Sequence, residues 1–125
     1  MIVGTGVDIV EPGRVEEVVR RRGRRFLERV FTPAERAYCE RHRNKWERYA
    51  ARFAAKEAAF KALGTGWRGG VRWRDVEVTN QRSGRPTLTL SGQAGKLAQA
   101  AGVRHISLSL THTPKFVLAQ VIFED

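Results

Sequence analysis

RFAAKEAAFKALG, residues Arg52 to Gly64, is the most helix-prone stretch of this 125-residue chain. Alanine, lysine, glutamate and leucine dominate it, and neither glycine nor proline interrupts it before Gly64. With Trp46 and Tyr49 upstream, Phe53, Phe60 and Leu63 fall at spacings that describe one helical face. Glu57 falls on that same face, so a carboxylate stands where a core side chain is expected. Lys61 follows one turn later. A partly exposed i,i+4 Glu–Lys pair accounts for that spacing on its own. The flanking segments decide whether it means more.

Upstream, Ile2 to Val10 reads as a strand, apolar on both sides of Gly4 and Gly6. It is not a dinucleotide fingerprint, because no third glycine opens a helix in the right place. Asp8 stands among Val7, Ile9 and Val10, where an acid is costly unless it is paired or binds a metal. Pairing with a nearby arginine or a backbone amide is the plainer alternative. Pro12 suits the first turn of a helix that continues from Arg14 to Arg22 and ends at Gly23. Phe26, Leu27 and Val30 form a second short apolar stretch. Thr32-Pro33-Ala34-Glu35 is a capping box, so a helix begins there and runs to about His42. Asn44 is the expected cap of the central helix, which reaches Leu63.

Downstream, Gly64 to Gly70 is a glycine-rich turn whose backbone could approach a phosphate closely. The period then changes from 3.6 to 2. Val71, Trp73, Val76 and Val78 alternate with a phase slip near Asp75, which predicts a bulged strand. A turn over Gln81 to Pro86 leads to a returning strand, Thr87 to Leu90. Ser91 is the expected cap of a short helix through Ala101, closed by Gly102. Ile106, Leu108 and Leu110 alternate with hydroxyl residues, Thr111-His112-Thr113-Pro114 forms a corner, and Phe116 to Phe123 is a near-continuous apolar strand. The row of serines and threonines could bind phosphate oxygens or be a solvated face.

The length fits one domain, residues 1–125, and the 42% hydrophobic content is ordinary for a globular chain. No apolar run approaches the roughly 18 residues that cross a membrane. The first ten residues carry no lysine or arginine, unlike a signal or transit peptide. A single cysteine, Cys39, fits a reducing cytoplasm and has no supporting motif for a catalytic thiol. The formal net charge is +10, and residues 14–52 hold 13 Lys or Arg against six Glu. Nucleic acid, an anionic membrane, a phosphorylated small molecule or an acidic protein would each satisfy such a surface, and so would simple solubility.

Taken together, a strand ending in Asp8, a helix presenting Glu57 and Lys61, a glycine loop and a Thr-His-Thr corner point to one chemistry. Two carboxylates with few other ligands suit Mg²⁺, which takes the rest of its shell from water and substrate phosphates. A nearby lysine suits phosphoryl chemistry. No Cys/His set for zinc and no nucleophile elbow is present. Spacing and composition reach Mg²⁺-dependent phosphate-ester chemistry and stop there.

GVDIVE at Gly6–Glu11, RFAAKEAAFKALGTG at Arg52–Gly66 and SLTHT at Ser109–Thr113 resemble the small bacterial 4′-phosphopantetheinyl transferases, the holo-[acyl-carrier-protein] synthase type. FTPAE at Phe31–Glu35, WRDVEV at Trp73–Val78 and SGRP at Ser83–Pro86 extend the likeness over essentially the whole chain, in the expected order. The resemblance implies an α+β fold, a long central helix packed on an antiparallel sheet, assembled as a homotrimer with active sites between subunits. It implies transfer of the 4′-phosphopantetheine arm of coenzyme A to a serine of an apo carrier protein, with release of 3′,5′-ADP, in support of fatty acid biosynthesis.

By the same resemblance Asp8 and Glu57 bind Mg²⁺, and Lys61 stabilises or protonates the leaving phosphate. The serine proton passes to Glu57 or to a metal-bound water. Gly64, Thr65 and Gly66, with His112 and Thr113 of the corner, line the coenzyme site. Arg52, and the run Arg41, Arg43 and Lys45, are expected to meet its phosphates. Arg14, Arg25 and Phe26 are expected to dock the acidic carrier, with Arg24 an alternative to Arg25. The competing reading is a small basic nucleic-acid-binding protein, favoured by charge and three tryptophans. Against it stand the absence of any helix-turn-helix, RNP-type or zinc pattern and the two acids inside apolar elements. Neither nucleic acid nor membrane is therefore an expected partner. An inactive scaffold is disfavoured because Asp8, Glu57 and Lys61 are all present.

Overall fold

The computed structural model describes residues 1–66 and 68–125. Its elements follow in the order β1 (Ile2–Val10), α1 (Pro12–Arg22), α2 (Arg24–Val30), α3 (Pro33–Glu40), α4 (Lys45–Leu63), β2 (Val76–Asn80), β3 (Pro86–Leu90), α5 (Gly92–Ala100), β4 (His105–His112) and β5 (Val117–Glu124). Trp67, in the glycine loop after α4, lies outside the described residues. All strand pairings are antiparallel, but there are two sheets rather than one. One has the order β1-β5-β4, and the other is the β2-β3 hairpin.

Gly4 and Gly6 explain how β1 meets α4. A Cβ at Gly4 would fall on the carbonyl oxygen of Ala62, and one at Gly6 on that of Ala58, far inside van der Waals contact. The strand backbone therefore rests on the helix backbone, which only glycine permits. The same face of the sheet continues through Val117, Ala119, Val121 and Phe123 of β5, all buried.

α4 lies between two cores. Ala54, Ala55, Ala58, Ala59 and Phe60 pack with Val76, Val78, Leu108, Val121 and Phe123 on one side. Tyr49 and Ala50 pack with Val15, Val30, Phe31, Cys39 and Val117 on the other. The buried surface of the helix is largely its alanines, joined by Tyr49 and Phe60 of the stripe expected from the sequence. Small side chains let sheet and helices approach from several sides at once. Trp46, Phe53 and Leu63 stay half-buried at the margins.

Three local expectations are corrected. Residues 73–75 form a 3₁₀ turn ahead of β2, not a bulged strand. Asn44 is the N-cap residue of α4, but its side chain makes no capping bond; Asn44 Oδ1 instead accepts from Arg48 Nε at 3.3 Å. Ser91 likewise precedes α5 without capping it. Its Oγ donates to the Asp75 carbonyl at 3.4 Å, and the Asp75 carboxylate accepts from Ala94 N at 3.4 Å. A residue distant in sequence has taken the cap.

The capping box of α3 forms as expected, with Glu35 N donating to Thr32 Oγ1 and Thr32 N donating to Glu35 Oε1. Its glutamate does more. Glu35 is fully enclosed and receives Val78 N at 2.9 Å and the Lys56 ammonium at 2.8 Å. Lys56 is 0% exposed and also donates to the carbonyls of Trp73 and Val76. Burial lowers the Lys56 pKa while Glu35 opposes that shift. One pair thus ties α3, α4, the turn before β2 and β2 itself. Lys56→Met should destabilise the fold by about 3–5 kcal/mol, because it strands a buried carboxylate. The double variant Lys56→Met/Glu35→Gln should recover part of that loss in a denaturant melt. A single variant as stable as the parent overturns the assignment.

Candidate active site

The strand-on-helix contact decides where Asp8 goes. Gly4, Gly6 and Asp8 share the inward face of β1, and Asp8 is the first of them with a side chain to place. It meets Lys61, whose Nζ donates to Asp8 Oδ1 at 3.1 Å and to the Val7 carbonyl at 2.9 Å. Glu57, one turn earlier on α4, faces the same place. Burial first and the Asp8 charge second push its carboxyl above the usual range, while Lys61 opposes them.

These three side chains line a cleft of about 620 Å³ together with Arg14, Phe26 and Phe116. Arg14 comes from α1, Phe26 from α2 and Phe116 from the corner before β5, so five separate segments converge. The cleft offers paired carboxylates, one cation at hydrogen-bond range, a second cation at its rim and apolar walls. Such a set can hold a polyphosphate, position a hydroxyl nucleophile and receive its proton. Among the described residues no group of three or more His, Cys, Asp and Glu is arranged for a metal. The donor set is two carboxylates, which fits Mg²⁺ and does not fit zinc.

The remaining expected site residues are not in this cleft. His112 ends β4 with Nδ1 2.9 Å from Glu47 Oε1 and lines a separate hollow of about 440 Å³ with Arg48, Asn80, Gly84 and Pro86. The Thr113 hydroxyl accepts from Phe116 N at 3.2 Å, closing the corner. Gly64 and Gly66 adopt positive φ at the end of α4, and Thr65 Oγ1 between them is buried with no partner among the described residues.

Arg52 does not stand at the surface. It is 3% exposed, its guanidinium carbon lies 4.0 Å from the Tyr38 ring centroid, and its NH2 donates to Asn80 Oδ1. Its reach to the second hollow therefore runs through Asn80, which lines it. Arg41 lies over the Tyr38 ring, Lys45 pairs with Glu40 at 3.3 Å, and Arg43 is exposed. Of the two arginines proposed as alternatives, Arg25 lines a hollow beside Phe26, whereas Arg24 lies 3.8 Å from Glu28. Cys39 is buried, and burial pushes its thiol up to about 12, so it is no nucleophile.

Sequence reasoning passed over Phe53 and Phe116 as cleft walls and Arg48 and Asn80 as lining of the second hollow. Phe53 carried a signal, being four residues before Glu57 on α4. The others carried none, since only the packing of distant segments exposes them there.

The family model for the 4′-phosphopantetheinyl transferase superfamily matches residues 4–121. A holo-[acyl-carrier-protein] synthase of Solibacter usitatus is 57% identical over 125 residues, the full length of both chains. Among solved structures, the holo-[acyl-carrier-protein] synthase of Neisseria meningitidis superposes with a TM-score of 0.91 at 34% identity over the whole of both chains. That of Bacillus anthracis, in complex with CoA (3′,5′-ADP), gives 0.81 at 37% identity, covering 98% of this chain and 96% of the other.

Because burial and Asp8 both disfavour the Glu57 carboxylate, Glu57→Gln should leave the melting temperature unchanged or raise it. A fall of more than about 4 °C, about 1 kcal/mol for a domain of this size, would show that the charge is structural.

Proposed function

The chain belongs to the 4′-phosphopantetheinyl transferase superfamily, and from the cleft it carries we propose how it works. It transfers the 4′-phosphopantetheine group of coenzyme A to a serine of an apo acyl carrier protein and releases 3′,5′-ADP. The observation that carries this reading is the meeting of Asp8, Glu57 and Lys61, from opposite halves of the chain, in one cleft rimmed by Arg14. Asp8 and Glu57 are the residues that would hold Mg²⁺. When bound, the ion supplies positive charge against that which builds on the diphosphate.

The serine oxygen bonds to the phosphorus that carries pantetheine, and the bond from that phosphorus to the bridging oxygen of the diphosphate breaks. Lys61, steadied by the Val7 carbonyl and Asp8, lies where it can meet the charge on the departing phosphate. The serine must give up its proton. Glu57 is the cleft carboxylate whose proton affinity is raised, and it is the proposed acceptor. Thr65 Oγ1, Gly64, Gly66, His112 and Thr113 are the proposed contacts to the rest of the coenzyme. Since the His112 hollow and the Asp8 cleft are separate within one chain, a complete site would draw its second half from a neighbour.

The outer face of the β1-β5-β4 sheet supports such an assembly. Val3, Val7 and Ile9 are exposed there, the last two by 52% and 58%, beside half-buried Leu118 and Ile122. An uncovered apolar stripe of this kind marks an interface. We therefore propose a homotrimer working in the cytoplasm for fatty acid biosynthesis. Among the described residues no helix is long and apolar enough to cross a membrane.

An intact-mass assay tests the chemistry. Apo carrier protein with coenzyme A, Mg²⁺ and this protein should gain one phosphopantetheine, and a chelator should prevent it. Asp8→Ala and Glu57→Ala should each slow transfer by on the order of 10²-fold or more. Transfer that continues in chelator, or variants at parental rates, would remove the metal assignment. Sedimentation equilibrium tests the assembly. The parent should have the mass of three 14.1 kDa chains, and Val7→Asp/Ile9→Asp should reduce it to one. A monomeric parent overturns the trimer.

A further inference from the structure

Tyr38 sits on α3 and lines neither the cleft nor the second hollow, yet three guanidinium groups converge on its ring. The guanidinium carbons of Arg52, Arg48 and Arg41 stand 4.0, 5.8 and 5.9 Å from the ring centroid. Arg48 also donates from NH1 to the Tyr38 hydroxyl at 3.1 Å. The face of a phenol ring attracts such cations, and its oxygen accepts hydrogen bonds from them. Exposure falls along the set, from Arg41 at the surface through half-buried Arg48 to enclosed Arg52.

No acid neutralises these arginines. Among the described residues none of the three has a carboxylate at ion-pair distance. The acids of the same segments are engaged elsewhere. Glu35 is held by Lys56, Glu40 by Lys45 and the Tyr49 hydroxyl, and Glu47 Oε1 lies 2.9 Å from His112 Nδ1. Like charges gathered around one ring repel each other. The buried Nε of Arg52 also has no hydrogen-bond partner among the described residues. Such a set fits an anion supplied from outside the chain.

Both inner arginines lead to the second hollow. Arg48 lines it, with its Nε held by Asn44 Oδ1 at 3.3 Å. Arg52 NH2 donates to Asn80 Oδ1 at 2.8 Å, and Asn80 Nδ2 donates to the Gly84 carbonyl at 3.0 Å. Asn80 and Gly84 both line the hollow. Coenzyme A carries a diphosphate that reacts and a 3′-phosphate at the far side of its nucleotide. The diphosphate belongs with Asp8, Glu57 and Lys61, which leaves the arginine-flanked hollow for the 3′-phosphate.

We propose that Tyr38 is a positioning residue for coenzyme binding. Its hydroxyl holds Arg48 at the hollow and its ring face holds Arg52 against Asn80, so that their charge meets the 3′-phosphate while Tyr38 itself touches no substrate. The inference rests on the transferase reading, which supplies the coenzyme.

The test compares coenzyme A with 3′-dephospho-coenzyme A as donors in steady-state transfer by the full chain, with Mg²⁺ and apo carrier protein. The parent should have the lower KM for coenzyme A. Tyr38→Leu should raise that KM about tenfold, with the KM for the dephospho donor and kcat for both within about twofold of the parent. Tyr38→Phe keeps the ring face and loses only the hydroxyl, and should raise the KM for coenzyme A about threefold. Tyr49→Phe removes a different hydroxyl, one that donates to Glu40 at 2.7 Å, and should leave the ratio of the two KM values unchanged. An unmoved KM for coenzyme A in Tyr38→Leu overturns the proposal. An equal rise for both donors also overturns it, since Tyr38 would then serve only the fold. If Tyr38→Leu does not fold, Tyr38→Phe decides alone, and an unchanged ratio there overturns the proposal. A parent that transfers from neither donor defeats the transferase reading itself, whereas a parent active with both and indifferent to the 3′-phosphate defeats only the role of Tyr38.

Discussion

Two residues of strand advance about 6.6 Å and four residues of α-helix about 6 Å, so a strand laid antiparallel on a helix can repeat one contact along both. β1 uses that match. Gly4 rests on Ala62 and Gly6 on Ala58, with the strand rising as the helix number falls. Side chains at 4 and 6 would lift β1 off the helix. The row of α4 next to Ala58 and Ala62 is Glu57 and Lys61, so the spacing that seats the strand also sets the acid and the lysine beside it. Asp8, the next inward residue, then meets Lys61 at 3.1 Å. The geometry of the cleft is a consequence of how closely two backbones can lie.

The helix that makes this possible is held from behind. Lys56 and Glu35 are both fully enclosed and joined at 2.8 Å, and burying two charges is tolerated only because each has further partners. Glu35 also takes the amides of Thr32 and Val78, and Lys56 the carbonyls of Trp73 and Val76. The residue next to the half-buried Glu57 is thus the one anchored most deeply. Lys56 and Glu57 look alike in sequence as adjacent charges. About 100° of helix separates their directions, and that turns one into the core and the other to the cleft.

The split of functional residues between two hollows follows from the corner at residues 113–116. β4 delivers His112 to one side with Glu47, and the chain returning toward β5 delivers Phe116 to the other. In the assembly proposed above, one neighbouring subunit would both cover the apolar stripe on the outer sheet face and bring the second hollow to the cleft.

Local signals in the chain were enough for β1, for α1 and for the capping box that starts α3, because glycine, proline and capping residues act within a few positions, while the α+β class followed from the family resemblance. They also named Asp8, Glu57 and Lys61, since an acid inside an apolar strand and a carboxylate on a core-facing stripe are anomalies visible without coordinates. What tertiary structure alone decided lies in contacts between segments far apart. Asp75 rather than Ser91 caps α5, a 3₁₀ turn replaces the expected bulge, alanines join Tyr49 and Phe60 in the buried surface of α4 while Trp46, Phe53 and Leu63 stay at its margins, and Arg52 turns inward against Tyr38. Lys56 and Glu35 find each other across 21 residues, and Arg29 comes to share a surface with Arg72 and Arg74. Propensity and periodicity describe what a segment prefers by itself; which partner a buried charge or an open backbone group finds depends on what the rest of the chain brings beside it.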